Sequence, residues 1–182
     1  MALQTADPSC PDDSGNIYVD CDNGTVTDNR SGLVWLKNAD CVGHFVWQDA
    51  MQIVASLSDL PDAEICGSLE PDECDCGLSD GSSPGEWRLP SIAEWKAMVA
   101  WAVAQGCEDP ALTDDAGTTC MGIPCFIFET CSFYGAWSGS YWSSSSYVSD
   151  PSQAWNMHLK FGYVLNDPKY GPFHVWPVRG GQ

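Results

Sequence analysis

"GEWRLPSIAEWKAMVAWAVAQG", residues 85–106, carries the plainest structural signal in the chain. Trp87-Arg88-Leu89 reads as a short buried segment. Pro90 keeps the residue before it out of helical geometry, because its ring clashes with that residue's backbone. Ser91 and Glu94 have the spacing of a capping box, in which each side chain accepts a hydrogen bond from the other's backbone N–H. Ile92, Trp95, Val99, Ala102 and Val103 then share one face at helical spacing, and Gly106 supplies the stop. Arg88 stands where it can satisfy backbone carbonyls or a carboxylate beside the helix start. The stretch predicts a rigid lead-in and an amphipathic helix whose role is scaffolding.

Upstream, "NIYVDCDNGTVTDNRSGLVWLKN", 16–38, alternates and turns. Asn23-Gly24 signals a hairpin between two short strands. Asn29-Arg30-Ser31-Gly32 is a second turn, and "LVWLK" follows as a buried strand anchored by Trp35. Over 46–60, Trp47, Ala50, Val54 and Leu57 fall on one face of a first helix. Residues 61–84 read as a looped insertion, and 107–136 as a second irregular, cysteine-rich stretch. From Trp137 onward the pattern becomes β: "SGSYWSSSSYVS" and "QAWNMHLKFGYV" as paired strands, and "GPFHVWPVRG" as a last strand. Pro177 marks that strand as an edge or its end. The reading is one domain over 16–182, preceded by a Pro/Asp/Ser-rich arm over 1–15.

Composition narrows the function. The net charge of −18 repels phosphate backbones, which argues against nucleic acid as a partner. No stretch is apolar enough to span a membrane, so no membrane insertion is expected. The start, "MALQTADPSC", lacks the basic and apolar parts of a signal peptide. Ten cysteines, an even number, suggest disulfides and therefore export, with a signal peptide removed. Local spacing favours Cys10 with Cys21, Cys66 with Cys74, Cys107 with Cys120 and Cys125 with Cys131. Cys41 and Cys76 remain to bridge across the first helix, although spacing does not fix the connectivity.

Five segments then come in a familiar order: "NGTVTDNRSGLVWLKNADC", "GEWRLPSIAEW", "YWSSSSY", "AWNMHLKFG" and "VWPVRGG". Together they resemble the Lcl C-terminal domain, a family found on bacterial collagen-like adhesins and other secreted proteins, across about residues 16–181. The insertion at 61–75 departs from the usual shorter loop. The resemblance implies an α+β, C-type-lectin-like fold, related to the formylglycine-generating enzymes. In it two helices flank small antiparallel sheets with long loops, and the first and last strands meet.

Formylglycine-generating relatives use a reactive cysteine pair, and here each cysteine has a plausible partner. His44, His158 and His174 are scattered along the chain, and "GSYWS" lacks the frame of a nucleophile elbow. No enzyme is therefore expected. The calcium tripeptides of sugar-binding C-type lectins are absent: Trp155-Asn156-Met157 lacks the second carboxylate. Asp72/Glu73/Asp75, Asp114/Asp115 and Asn166/Asp167 are the places where calcium could still bind, and no other cofactor is indicated. Trp142, Trp155 and Trp176 are assigned to the core. Tyr141, Tyr147, Tyr163 and Tyr170, with Asn156, His158, Asn166, Asp167 and Lys169, are assigned to a polar-aromatic contact platform, since rings give rigid contact area and amides adapt. The expectation is a secreted or cell-surface, non-catalytic binding domain whose partner is a glycan or a host or neighbouring surface protein. It would act alone or as a homo-oligomer, trimer or polymer. The alternative is a structural subunit of an extracellular filament.

Overall fold

The computed structural model describes Cys10 and residues 15–59, 76–122 and 131–180. Within these, β1 (Tyr18–Asp20), β2 (Thr25–Asp28) and β3 (Leu33–Leu36) form an antiparallel meander, followed by the two-residue β4 (His44–Phe45) and α1 (Trp47–Ser56). Then come α2 (Ile92–Ala104), β5 (Ser140–Ser146), β6 (Gln153–His158), β7 (Tyr163–Pro168), β8 (Phe173–His174) and β9 (Val178–Arg179). One sheet has the order β1-β2-β3-β9 and the other β4-β8-β5-β6-β7. All the pairings are antiparallel except β5 with β8. The class is α+β, with two helices and two small sheets.

The hairpin expected at Asn23-Gly24 forms, but with a longer tip. Cys21 N–H donates to Thr25 O, and Asn23 Oδ1 accepts from both the backbone N–H and the hydroxyl of Thr25. Gly24 sits at φ +82° with its α-carbon against Gly77, so no side chain fits there. The next turn is built on Asp28, whose carboxylate takes the Arg30 backbone N–H at 2.9 Å and the Arg30 guanidinium at 3.1 Å. Arg30 in turn donates to the Tyr18 hydroxyl, whose pKa burial pushes up to about 12. β3 is buried throughout, as its apolar run predicts.

The capping box at Ser91 is present with both of its reciprocal bonds. Arg88 forks onto Glu94 at 2.7 and 2.9 Å and also donates to Gly180 O at 2.8 Å. Partial burial lifts the Glu94 carboxyl, but the bonds from Arg88 and Ser91 outweigh it and hold its pKa below the usual range. Trp95, Met98, Val99 and Ala102 are the buried face of α2, which packs on β5 and β6. Val103 is exposed, because it stands a hundred degrees round the helix from Ala102. α1 ends at Ser56, earlier than its apolar spacing suggests; Leu57 is buried but already extended.

Trp35, Trp95 and Trp176 meet with ring centroids 5.1–5.8 Å apart and join both sheets to α2. Two of the three indole N–H groups are satisfied by backbone, Trp95 donating to Trp142 O and Trp176 to Leu36 O, whereas that of Trp35 is buried without a partner among the described residues. Two expectations about the late strands are corrected. "GPFHVWPVRG" is two strands, β8 and β9, in different sheets, since Pro177 cannot continue a ladder. Trp155 is half-buried, edge-on to Tyr147 at 4.9 Å, and stands outside the main ring cluster.

Three disulfides, Cys10–Cys21, Cys41–Cys76 and Cys107–Cys120, agree with the expected pairs. Cys131 is disulfide-bonded too. Cys66, Cys74 and Cys125 lie outside the described residues, as do most of the arm and Asp72/Glu73/Asp75. None of the described helices is long and apolar enough to cross a membrane.

Candidate functional site

Among the described residues, a group of chemically capable side chains forms where β4 meets β8. The register pairs His44 with His174 and Phe45 with Phe173. Directly opposed residues on paired strands project to the same side, so the two imidazoles converge. Their Nε2 atoms are 2.9 Å apart and the ring centroids 3.8 Å apart. The parallel pairing of β5 with β8 places Tyr141 beside His174, and the rings stack at 4.7 Å and 18°. Tyr141 is fully buried, and this burial drives its pKa far up; its hydroxyl accepts from the Trp137 backbone N–H at 2.8 Å.

Asp40 completes the group from the loop after β3. That loop is held by Ala39 N–H on Tyr134 O, by Asp40 N–H on Asn38 Oδ1, and by the neighbouring Cys41–Cys76 bridge. Asp40 Oδ1 lies 3.2 Å from His174 Nδ1, and Oδ2 accepts from the indole N–H of Trp137 at 2.8 Å. Partial burial raises the Asp40 carboxyl, but the His174 and Trp137 bonds and the nearby imidazoles more than offset this, and its pKa lies below the ordinary range. Desolvation, then the charge of His174, lowers the pKa of His44, with Asp40 opposing. Ligand atoms of Asp40, His44 and His174 all fall within 4.8 Å of one another. The reading of the histidines as scattered is thus corrected for His44 and His174. Nothing in their spacing announces this, since 130 residues separate them and β4 is only two residues long.

The residues assigned to a contact platform are only partly brought together. Tyr141 and Asn156 are fully buried and cannot meet a partner at the surface. Tyr141 belongs to the core, and Asn156 donates to Asp167 Oδ2 at 2.9 Å. Tyr147, Asn166 and Lys169 gather at one end of the β6–β7 pair, where Lys169 donates to Ser146 Oγ and lies 4.0 Å over the Trp47 ring. Asn166 donates to Gln153 Oε1. His158 and Tyr163 pair at the other end, with Phe161 5.4 Å from Tyr163. Tyr170 follows β7 and is exposed.

The described acidic pairs are engaged in loop structure. Asp114 accepts from the backbone N–H groups and hydroxyls of Thr118 and Thr119. Asp115 takes the Ser132 N–H. Carboxylates used in this way fold a loop whether or not an ion is near.

Among curated proteins, none matches the chain. The family model described as the Lcl C-terminal domain matches residues 24–179, from the tip of the first hairpin to the end of β9, and so takes in both sheets' central strands, both helices and the histidine pair. The chain belongs to the Lcl C-terminal domain family.

Proposed function

We propose that this is an extracellular, non-catalytic adhesion domain of C-type-lectin-like fold, which recognises a glycan or a surface protein through its β6–β7 face. The family is an adhesin-type one, and disulfides belong to oxidising, exported settings. The observation that carries the reading is the exposure of apolar side chains on the outer strand and just after it. Tyr163 is 61% and Tyr170 80% exposed, with Leu165 between them at 41%. Eight other rings are buried in the core, and the exposed Trp101 and Trp137 are held by bonds to Gly117 O and Asp40, so these two tyrosines are available as rigid anchors. All seven described cysteines, Cys131 among them, are tied up as disulfides and offer no thiolate to a formylglycine-type reaction.

The rival reading, a filament subunit, draws on β7 as the open edge of the larger sheet. Pro168 and the flanking charges of Asp167 and Lys169 blunt that edge against strand addition, which favours recognition by side chains. An array of glycans and matrix proteins, run with and without calcium, tests the proposal. The Tyr163→Ala/Tyr170→Ala double variant should lose about tenfold or more in affinity for whatever binds, with its fold intact. Absence of any bound ligand, together with open-ended polymers on size exclusion, would transfer the assignment to the filament.

A further inference from the structure

We propose that His44 and His174 hold a divalent transition-metal ion, zinc or a neighbour in the first row, between their Nε2 atoms, with Asp40 orienting His174 from behind. The argument begins with protons. An ionised carboxylate only accepts, so the Asp40–His174 contact places a hydrogen on His174 Nδ1. In the neutral ring His174 Nε2 is then the lone pair, 2.9 Å from His44 Nε2. A carboxylate holding one ring nitrogen while the other faces an ion is the usual arrangement behind a metal-binding histidine. Asp40 is itself fixed by the Trp137 indole, so this orienting bond does not depend on a mobile side chain.

The distances suit the ion. Two nitrogens bound at about 2.0–2.1 Å with a tetrahedral angle lie about 3.3 Å apart. The nitrogens need to part by about 0.4 Å, and the ring centroids, now 3.8 Å apart, need to reach about 5 Å, a swing that the exposed His44 supplies. Gly139 gives a second, independent observation. A Cβ there would stand 2.7 Å from His174 Nε2, and Gly139 is not among the positive-φ glycines. That Cβ would also stand 2.8 Å from Cδ2 and so press on the Nε2–Cδ2 edge of the ring; glycine there lets His174 take up this position. Imidazole donors favour zinc, copper or nickel over calcium, which seeks oxygen. With two protein nitrogens, the other coordination positions are left to water or to a donor from whatever the domain binds.

Zinc titration of the intact, oxidised protein, followed by calorimetry and by competition with a chromophoric zinc indicator, is the test. One ion per chain is expected. His44→Ala and His174→Ala should each weaken binding about tenfold or more, and Asp40→Asn by about 10–100-fold. His44 is exposed, so its variant will fold even if the His174 variant does not; near-ultraviolet circular dichroism verifies this. Gly139→Ala, which removes no ligand, should weaken zinc by pushing the His174 ring out of place. Excess calcium should leave the zinc isotherm unchanged. The proposal fails if the wild-type protein takes up no zinc, if the folded His44→Ala and Gly139→Ala proteins bind as the wild type does, or if calcium displaces the zinc.

Discussion

Arg88 ties the helix-entry segment, the start of α2 and the chain after β9 to one guanidinium. It and Glu94 are both about four-fifths shielded, so removing one strands the other. Arg88→Ala should cost about 2–3 kcal/mol in urea unfolding, and an Arg88/Glu94 double-mutant cycle should give a coupling above about 1 kcal/mol. Because the folded pKa of Glu94 lies below its unfolded value, its contribution is present above the unfolded carboxylate pKa and disappears as the pH falls through the folded one. Glu94→Gln should therefore flatten the acid limb of stability below about pH 4, as a pH series of melting temperatures will show. Gly24 is the strictest backbone position of the first hairpin. Gly24→Ala meets both the left-handed conformation and the Gly77 carbonyl, and should cost about 2–4 kcal/mol by the same unfolding assay.

Among the elements, α2 was legible because every local signal agreed: a proline before it, a reciprocal cap, an apolar face and a glycine after it. Removing one half of the cap with Ser91→Ala should cost about 1 kcal/mol, or about 2–4 °C in melting temperature. α1 was legible in type but not in length, since it has no side-chain cap and its last apolar residue is buried from extended backbone. The late strands were harder. Two residues of β8 and two of β9 carry no period that could separate them, and only Pro177 hints at the break. Tyr141 and Asn156 were assigned outward because alternation implies one wet face. Both β5 and β6 instead have consecutive buried residues, so alternation fails there. The histidine pair rests wholly on the register of β4 with β8, which no local pattern reveals.

For the molecule as a whole, a net charge of −18 opposes compaction, and covalent closure offsets it. Cys41–Cys76 spans 35 residues and Cys107–Cys120 spans 13. By loop-closure entropy the first contributes about 4 kcal/mol and the second about 3. The Cys41→Ser/Cys76→Ser protein should accordingly melt below the Cys107→Ser/Cys120→Ser protein, and a scan of both in one buffer checks the order. The pairing of β3 with β9 has a different consequence. Val34 faces Arg179, and Trp176 donates to Leu36 O across 140 residues of chain. A nascent polypeptide must wait, with Trp35 and Trp95 still lacking their third ring, until Trp176 has been made. So nonlocal a contact places the domain among slow folders, in the millisecond-to-second range. Until that contact forms, its apolar rings stay open to wrong partners.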